Sequence, residues 1–492
     1  MSLKYILGID IGTSSVRAAL YDERGNLIPK TLVKNERTLT ATDDGGAEID
    51  AGTALIQILA AVSDTLSAFA DEQAEVSYIA TSSFWHSLVG VDENGNPTTK
   101  VFGWADTRSR KYTERLKLRF DESTIHNRTG ARFHSSFWPA KLLWLRKEFP
   151  DTFARTSRWL SFSDFVSLKL FGDAVTGVSM ASGTGLLDLR TCSWDAELLR
   201  FLKLRPASLP RLAGDAETFR LSPKLTKRWP RLRNAEWFPA IADGAANNIG
   251  AGCVTKSKAA LMIGTSGAMR VAYKGEPPSK IPPGLWCYRI DRKRVIMGGA
   301  LSDGGGLYHW LKQNLRLGKD DDVEREIARR EPTSHGLIVM PFFAGERSTG
   351  YHENAVGSIL GLRSATDTID IVQAGLESIA FRFADIFDQL NGVSRIQNLI
   401  ASGGALRESP IWTQMIADVL GRNLILPETH EASMRGAVLL ALETTGRINK
   451  IEDVPTPSGK QFSAHNSRKA VYAAARKRHQ KAYELLLDRD KI

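Results

Sequence analysis

The alternation of short apolar stretches with longer amphipathic ones predicts an α/β fold. The chain opens on two strand-like stretches, Tyr5–Asp10 and Val16–Asp22, which are joined by the turn Gly12-Thr13-Ser14-Ser15. Residues 53–70 then repeat apolar side chains at the spacing of one helix face. Another helix is expected to start at Pro139, because proline is favoured in a first helical turn.

Two further helices are predicted in the second half of the chain. Residues 368–390 form the longest periodic segment and are expected to be a buried helix. Ser409 has the character of an N-cap, Pro410 of a first-turn residue and Gly421 of a helix end. Residues 203–240 are rich in Pro, Arg and Leu without a clear period, which indicates irregular structure.

An internal repeat suggests two related domains. Ile11-Gly12-Thr13-Ser14 recurs as Ile263-Gly264-Thr265-Ser266, and each copy follows an apolar strand and precedes a strand with an early arginine. A repeat at about half the chain length favours a duplicated domain over a solenoid of short units. We expect the domains to comprise residues 1–247 and 248–492.

Composition and charge exclude several classes of protein. The chain has 492 residues and a formal net charge of +10, with basic residues spread along its length, so a nucleic-acid partner is not expected. Three scattered cysteines favour a reducing cytoplasm over a disulfide framework. No stretch approaches the roughly 20 apolar residues of a membrane helix.

The densest basic run, Arg468 to Lys481, lies in a helix-like tail. A solvated helix face explains this run better than a nucleic-acid arm does. The apolar residues expected on the buried side of this helix are Val471, Ala475, Tyr483 and Leu486.

The first hairpin has the chemistry of a phosphate site. Asp10 ends a strand and is followed by glycine and three hydroxyl residues, so backbone amides and hydroxyls can meet phosphate oxygens while Asp10 holds Mg²⁺ through water. Alone, the pattern also fits an ordinary hairpin. The second copy at Gly264 and Thr265 allows two hairpins to clamp a polyphosphate, without a Walker loop or a dinucleotide fingerprint in the sequence.

Two glycine-rich stretches are candidates for the nucleotide site. Gly403 and Gly404 follow an apolar strand and could let the backbone approach a base and ribose. Gly304-Gly305-Gly306 precedes a predicted helix whose N-terminus could favour an anion. Either stretch could also be a simple tight loop.

Polar residues at strand ends are candidates for the second substrate. Asp243 lies just before the second hairpin and could accept a proton from an attacking hydroxyl, although a helix-capping role also fits. Trp85, His86 and Asp106 combine an aromatic face with donors and acceptors, as polyol recognition requires.

Together these segments resemble the FGGY family of carbohydrate kinases, within the actin/hexokinase/Hsp70 superfold. The resemblance spans essentially the whole chain. GIDIGTSSVRAALYD is similar to the first phosphate motif of the family, LMIGTSG to the second, and ASGGALRESPIWTQMIADVLG to the adenosine motif. The stretch from Gly357 to Glu377 follows the C-terminal pattern of the family, except that Gly375 replaces a larger residue.

The resemblance implies two actin-like (ribonuclease H-like) domains, each a mixed sheet flanked by helices, with the active site in the cleft between them. It implies ATP and Mg²⁺, with Asp243 as the catalytic base and Asp10 and Asp243 near the metal. Trp85, His86, Asp106 and Asp243 would meet the sugar. The residues expected at ATP are Thr13, Ser14, Ser15, Gly264, Thr265, Gly305, Gly403 and Gly404.

Within the family, the segments HSLVGVD, WADTRS, RTGARFH and FFAGERS are most similar to gluconokinases, which implies gluconate as the acceptor and a role for His134 near its carboxylate. Phe137 and Trp138 depart from the smaller residues expected there and could reshape the acceptor pocket. The alternatives are a xylulose or other ketose or polyol kinase, and a non-catalytic actin-like ATP-binding protein. A homodimer is one option for the assembly.

Overall fold

The computed structural model describes residues 4–69, 75–428 and 431–487. The strands of the first half are β1 (Lys4–Ile11), β2 (Ser15–Tyr21), β3 (Val33–Glu36), β4 (Thr40–Ala41), β5 (Ala47–Ile49), β6 (Glu75–Ser83), β7 (Val89–Val91), β8 (Val101–Phe102), β9 (Arg158–Leu160), β10 (Val175–Thr176), β11 (Leu187–Asp188), β12 (Ser193–Trp194), β13 (Arg211–Leu212), β14 (Glu236–Trp237) and β15 (Ile241–Ala242). Its helices are α1 (Ala51–Ala68), α2 (Lys111–Arg119), α3 (Glu122–Thr129), α4 (Trp138–Glu148), α5 (Pro150–Arg155), α6 (Phe162–Phe171), α7 (Val178–Ser182), α8 (Ala196–Leu202), α9 (Pro223–Arg228) and α10 (Asp243–Gly250).

The second half has the same mixture of strands and helices. Its strands are β16 (Lys258–Ile263), β17 (Gly267–Lys274), β18 (Trp286–Asp291), β19 (Arg294–Leu301), β20 (Ile338–Met340), β21 (Ser358–Leu360), β22 (Asn398–Ser402), β23 (Leu424–Pro427) and β24 (Gly459–Phe462). Its helices are α11 (Gly305–Asn314), α12 (Asp320–Arg329), α13 (Thr368–Val393), α14 (Gly404–Glu408), α15 (Pro410–Leu420), α16 (Ala432–Thr444) and α17 (Lys469–Leu487).

Two mixed sheets share one topology, which confirms the predicted α/β fold. The first sheet has the order β14-β6-β1-β2-β3, with β15 also pairing with β6, and the second contains β23-β22-β16-β17-β19. In both sheets a parallel pair continues into an antiparallel hairpin and a further antiparallel strand. The repeated Ile-Gly-Thr-Ser turn occupies the same place in each sheet, between β1 and β2 and between β16 and β17.

Parallel pairing in the first sheet brings distant residues to one edge. Ile11 of β1 is in register with Ser83 of β6, and Ser83 with Ala242 of β15. Because the carboxyl ends of parallel strands meet at one edge, Asp10, the Trp85–His86 segment and Asp243 converge there. The register therefore assembles three candidate segments that are far apart in sequence.

Helices α10 and α16 join the two sheets. Helix α10 contacts β6 and β15 of the first sheet and β16 and β17 of the second, and α16 contacts α10, β1 and β6. The two helices approach so closely that a Cβ at Gly436 would lie 1.8 Å from the Ala246 carbonyl oxygen. The predicted division between residues 247 and 248 falls inside α10 and stays a prediction.

Gly436→Ala is expected to lower the free energy of unfolding by about 3 kcal/mol, because the new methyl group can be placed only by moving the backbone of one helix. Gly392→Ala in α13 is the matched control, since a Cβ there meets nothing within 4 Å. We expect the control to be neutral or stabilising by up to about 1 kcal/mol. Denaturant unfolding of both variants measures the difference, and equal midpoints would contradict the close approach.

The predicted elements agree with the structure in most places. The helix predicted over residues 53–70 is observed as α1 (Ala51–Ala68), and the side chain of Asp50 caps its first turn. Residue 70 lies outside the described residues. Helix α4 begins one residue before Pro139, and the Ser409, Pro410 and Gly421 signals mark α15 as predicted. Residues 203–240 form only short elements.

One expectation about a helix face needs correction. In α17 the buried residues are Tyr472, Ala475, His479 and Ala482, so the predicted burial of Val471 and Leu486 is wrong. Packing against α13, α15 and β20 selects the buried face of this helix. Helix α1 is long and apolar enough, by length and composition, to cross a membrane, and its buried side packs on β2 and β3.

Candidate active site

Asp10 lies at the base of the first hairpin. Its carboxylate accepts a hydrogen bond from the Ser82 hydroxyl at 2.5 Å, and the Arg17 guanidinium lies 3.8 Å away. Burial raises the pKa of Asp10 to about 6; Ser82 opposes the shift and the nearby charge of Asp243 adds to it. The two carboxylates are therefore close enough to sense each other, as expected of a pair that shares a cation.

The tip of the first hairpin remains accessible. The N–H of Gly12 donates to the Ser15 carbonyl at 2.8 Å and closes the turn, while Ser15 is buried in β2. Thr13 is half-buried and Ser14 is exposed, so these two residues present their polar groups at the surface of the turn. A role of Ser15 at ATP stays a prediction.

The second hairpin is held by the two glycine-rich stretches. Gly304, Gly305 and Gly306 donate backbone hydrogen bonds of 2.8–3.0 Å to the carbonyls of Gly264 and Thr265. A Cβ at Gly403, which has a φ of +103°, would lie 2.1 Å from the Ile263 carbonyl oxygen. The structure thus brings together all the predicted nucleotide residues of the second half.

Two of these glycines border open space. A Cβ at Gly264 would meet no atom closer than 3.9 Å, and one at Gly404 none closer than 3.7 Å. Gly305 and Gly403 instead pack directly on the hairpin backbone. The packed glycines position the turn, and the open ones leave room for a ligand to approach the backbone.

Asp243 is the first residue of α10, where the unpaired N–H groups of a helix favour an anion. Its Oδ1 accepts a hydrogen bond from the Gly244 N–H at 2.7 Å. Burial raises the pKa of Asp243, and the charges of Arg270 and Arg347 oppose this shift. Asp243 is thus a half-buried carboxylate with cations on two sides, and capping contacts do not consume both of its oxygens.

Aromatic rings form one wall next to Asp243. Trp85 packs edge-on against Tyr288 at 5.0 Å and against Trp286 at 5.7 Å, between ring centroids. His86 lies edge-on to Phe137 at 5.0 Å, and its Nδ1 is 2.5 Å from the Gly183 carbonyl oxygen. Phe137 thus borders the pocket, whereas Trp138 is fully buried beneath it and donates to the Ser87 carbonyl at 2.8 Å.

Cations that the sequence motifs did not single out surround the same space. Lys141 is fully buried and donates to the Ser136 carbonyl at 2.6 Å; burial lowers its pKa to about 7. Burial lowers the pKa of His86, and the charges of Arg347 and Lys141 add to the shift. Arg347 also lies over the Trp104 ring, 5.2 Å from its centroid.

Arg270 is a second cation beside Asp243, in addition to Arg347. It projects from β17 towards Gly244, is 7% exposed, and its Nε and Nη1 have no hydrogen-bond partner among the described residues. A buried guanidinium with unused donors is costly unless a ligand or a water molecule meets it.

Glu353 is an acid on the same side of the pocket as His134. It accepts a hydrogen bond from the Ser135 N–H at 2.7 Å and lies 3.5 Å from His134.

Asp106 lies deeper than its predicted role at the sugar suggests. It is fully buried, and its carboxylate accepts hydrogen bonds from the Arg108 side chain and from the Ala47 N–H. These bonds anchor the turn that carries Trp104. Direct contact of Asp106 with a substrate stays a prediction.

The donor set fits a magnesium ion that is held mainly by phosphates. No group of three or more His, Cys, Asp or Glu side chains that could hold a metal ion occurs in the described part of the chain. Mg²⁺ in phosphotransfer sites is commonly bound by one or two carboxylates, water and substrate phosphates. Asp10 and Asp243 supply that number of carboxylates.

Sequence reasoning missed Lys141, Arg270, Arg347, Glu353 and the Trp286–Tyr288 pair. Two of them carried a usable signal. Arg270 is the early arginine of the second hairpin, and Arg347 belongs to the segment FFAGERS. Trp286 and Tyr288 lie on β18, the edge strand of the second sheet, and reach Trp85 only in the folded protein.

Comparison with known proteins agrees with this geometry. Residues 5–229 match the N-terminal domain of the FGGY family of carbohydrate kinases, and residues 259–444 match its C-terminal domain. The chain is 30% identical over 477 residues to a gluconokinase from Bacillus subtilis (strain 168), with 93% of this chain and 91% of that protein covered.

Two solved structures have the same fold over nearly their whole length. Gluconate kinase from Lactobacillus acidophilus has a TM-score of 0.90 at 26% identity, with 99% of both chains covered. Ligand-bound xylulose kinase from the same organism has a TM-score of 0.91 at 26% identity, with 98% of both chains covered. The similar proteins therefore include kinases for two different acceptors.

Proposed function

Because this chain belongs to the FGGY family of carbohydrate kinases and is therefore a phosphotransferase, we propose that it moves the γ-phosphoryl group of ATP to a hydroxyl of gluconate. The single observation that carries the choice of acceptor is a set of buried cations: Arg270 and Arg347 act on Asp243, and Lys141 is close enough to Arg347 to sense its charge. The family assignment favours this enzyme over a non-catalytic actin-like ATP-binding protein.

The two hairpins are proposed to hold the triphosphate. The N–H groups and hydroxyls of Thr13, Ser14 and Thr265 would bind phosphate oxygens, and Gly404 would border the adenosine. When bound, Mg²⁺ neutralises charge that develops on the phosphate oxygens, and Asp10 would hold it through water. Helices α10 and α16 support this arrangement, because they connect the sheets that carry the hairpins.

Asp243 is proposed to act as the general base. It accepts the proton of the acceptor hydroxyl as that oxygen bonds to the γ-phosphorus and the bond from this phosphorus to the β–γ bridging oxygen breaks, which releases ADP. The charges of Arg270 and Arg347 oppose the rise in the pKa of Asp243 that burial causes, and so favour its ionised form. The Gly244 N–H fixes the orientation of the carboxylate from the other side.

The acceptor pocket favours an anion over a neutral sugar. Asp106 pairs with Arg108, which also pairs with Glu48, and the charge of Asp106 reaches Lys141. Among the described residues, the Nε and Nη1 of Arg270 beside Asp243 have no hydrogen-bond partner. Burial lowers the pKa of His134 to about 4, so this histidine is neutral near pH 7. A carboxylate on the acceptor would meet the unused donors, whereas a ketose would leave buried charge without a partner.

ADP release against a panel of gluconate, xylulose and glycerol tests the acceptor, with product mass confirming phosphorylation. We expect the highest kcat/KM with gluconate. A higher value with xylulose would overturn the gluconate assignment in favour of a ketose kinase. If ADP release is the same with and without each acceptor, the gluconate assignment and the ketose kinase alternative are both wrong.

The rate should depend on pH in both directions. The burial-raised pKa of Asp10, about 6, and the raised pKa of Asp243 predict that kcat/KM falls on acidification below about pH 6, because both carboxylates must be ionised. The depressed pKa of Lys141, about 7, predicts loss of its charge and a higher gluconate KM as the pH rises through 7. A pH profile of Lys141→Met should keep the acidic limb and lose the alkaline one.

A further inference from the structure

Glu346 is a buried carboxylate at the centre of the loop 345–353, here called the acceptor loop. It is 2% exposed and forms an ion pair with Arg382 of α13. Its oxygens also accept hydrogen bonds from the backbone N–H groups of Gly350 at 3.2 Å and His352 at 3.3 Å. Glu346 therefore fixes the path of the loop from inside.

The carboxyl-terminal helix reaches the same carboxylate. The Tyr483 hydroxyl of α17 lies 2.8 Å from Oε2 and 3.0 Å from Oε1 of Glu346, and the Arg382 guanidinium lies over its ring at 4.6 Å from the centroid. Burial and the charge of Glu346 raise the pKa of Tyr483, so the phenol keeps its proton and donates. A Cβ at Gly350 would lie 2.0 Å from this hydroxyl, which shows how closely the loop backbone packs on it.

Helix α17 is itself anchored to the body of the second half. Arg476 donates to the Asp385 carboxylate of α13 at 2.7 Å, and His479 lies 3.0 Å from the Val339 carbonyl of β20. Both contacts lie within two turns of Tyr483. The position of the Tyr483 hydroxyl is thus set by contacts of α17 with α13 and β20, and not by the acceptor loop alone.

The other side of the acceptor loop borders the acceptor pocket. Glu353 accepts a hydrogen bond from the Ser135 N–H, and the centroids of the Tyr351 and His134 rings are 6.0 Å apart. Arg347 lies over Trp104, and its charge reaches Asp243, His86 and Lys141. Since Arg347 directly follows Glu346, a shift of Glu346 moves this guanidinium relative to the pocket.

We propose that Tyr483 is a positioning residue for the acceptor: through Glu346 it fixes the loop that presents Arg347. The proposal rests on the acceptor pocket described under the proposed function. It assigns the carboxyl-terminal helix a part in acceptor binding, although α17 lies outside the pocket. In the described part of the chain, no hydrogen bond or ion pair joins the turns at Gly12 and Gly264 to Glu346, Arg382 or Tyr483, so binding of ATP should not depend on Tyr483.

Tyr483→Phe removes only the hydroxyl and tests this assignment. We expect the acceptor KM to rise about 3- to 10-fold, because the guanidinium is no longer held in place, while the ATP KM stays unchanged. Tyr472→Phe is the matched control, since Tyr472 is a buried tyrosine of the same helix that contacts Phe381 and not the acceptor loop. An equal effect of both variants, or a rise in ATP KM of the same size, would overturn the proposal.

A double-mutant cycle with Arg347→Lys separates positioning from general loosening. If Tyr483 acts through Arg347, Tyr483→Phe adds little to the acceptor KM of the Arg347→Lys enzyme. If the two substitutions raise the acceptor KM by factors that multiply in the double variant, the proposal is wrong. The cycle uses whichever acceptor the panel identifies, so a wrong gluconate assignment changes the substrate of the assay and leaves the test of Tyr483 intact.

Discussion

Asp243→Asn is expected to lower kcat by about 10²–10⁴-fold, the usual contribution of a general base. The amide keeps the size of the side chain and cannot take the proton of the acceptor hydroxyl. Binding of ATP should persist, because the hairpins at Gly12 and Gly264 and the carboxylate of Asp10 remain in place. Steady-state turnover with the preferred acceptor, together with ATP titration, measures both quantities.

The control for this variant is Asp164→Asn in α6. Asp164 is also buried, with a pKa raised by burial to about 6, but it belongs to the capping box of α6 with Ser161. We expect a lower melting temperature and a nearly normal kcat for this control. Turnover of Asp243→Asn close to that of the wild type would remove Asp243 as the base.

Arg347→Met is expected to lower kcat/KM for gluconate by about 100-fold, in the range found when one partner of a buried charge pair is removed. The charge of Arg347 acts on Asp243, and Arg347 lies over the Trp104 ring, so the proposed acceptor carboxylate and the proposed base would both benefit from its charge. Loss of that charge should also raise the pKa of Asp243 and shift the acidic limb of the pH profile to higher pH. The loss of kcat/KM is measured with gluconate and with a neutral sugar, and the difference between the two losses gives the contribution of the acceptor carboxylate.

Arg132→Met is the matched control for Arg347→Met. Arg132 lies over the opposite side of the acceptor loop, 5.4 Å from the centroid of Tyr351, and pairs with Glu122. Since Glu122 neutralises it, its removal should change kcat/KM much less and without preference for an anionic acceptor. A loss for neutral and anionic acceptors alike in Arg347→Met would contradict a role in reading the carboxylate.

The candidate site could be predicted in part because its nucleotide half is built from local motifs. The turns at Gly12 and Gly264 and the pair Gly403–Gly404 each carry their chemistry within a few residues, so their residue types reveal it. Asp243 could be named as a candidate from the sequence because it lies between a predicted strand and the second hairpin, and its role as the base stays a prediction. The acceptor half could not be found in this way, since Lys141, Arg347 and Tyr288 lie on unrelated elements.

The sequence by itself determined the α/β class, the repeated hairpin and the ends of helices such as α15, because periodicity and capping are properties of neighbouring residues. Only the tertiary structure decided which faces meet. Ser135 and Glu353 are 218 residues apart and Tyr483 and Glu346 are 137 apart, yet hydrogen bonds join each pair. The tertiary structure also decides the charge state of pocket residues. The pKa of Lys141 is lowered only because other elements exclude water around it.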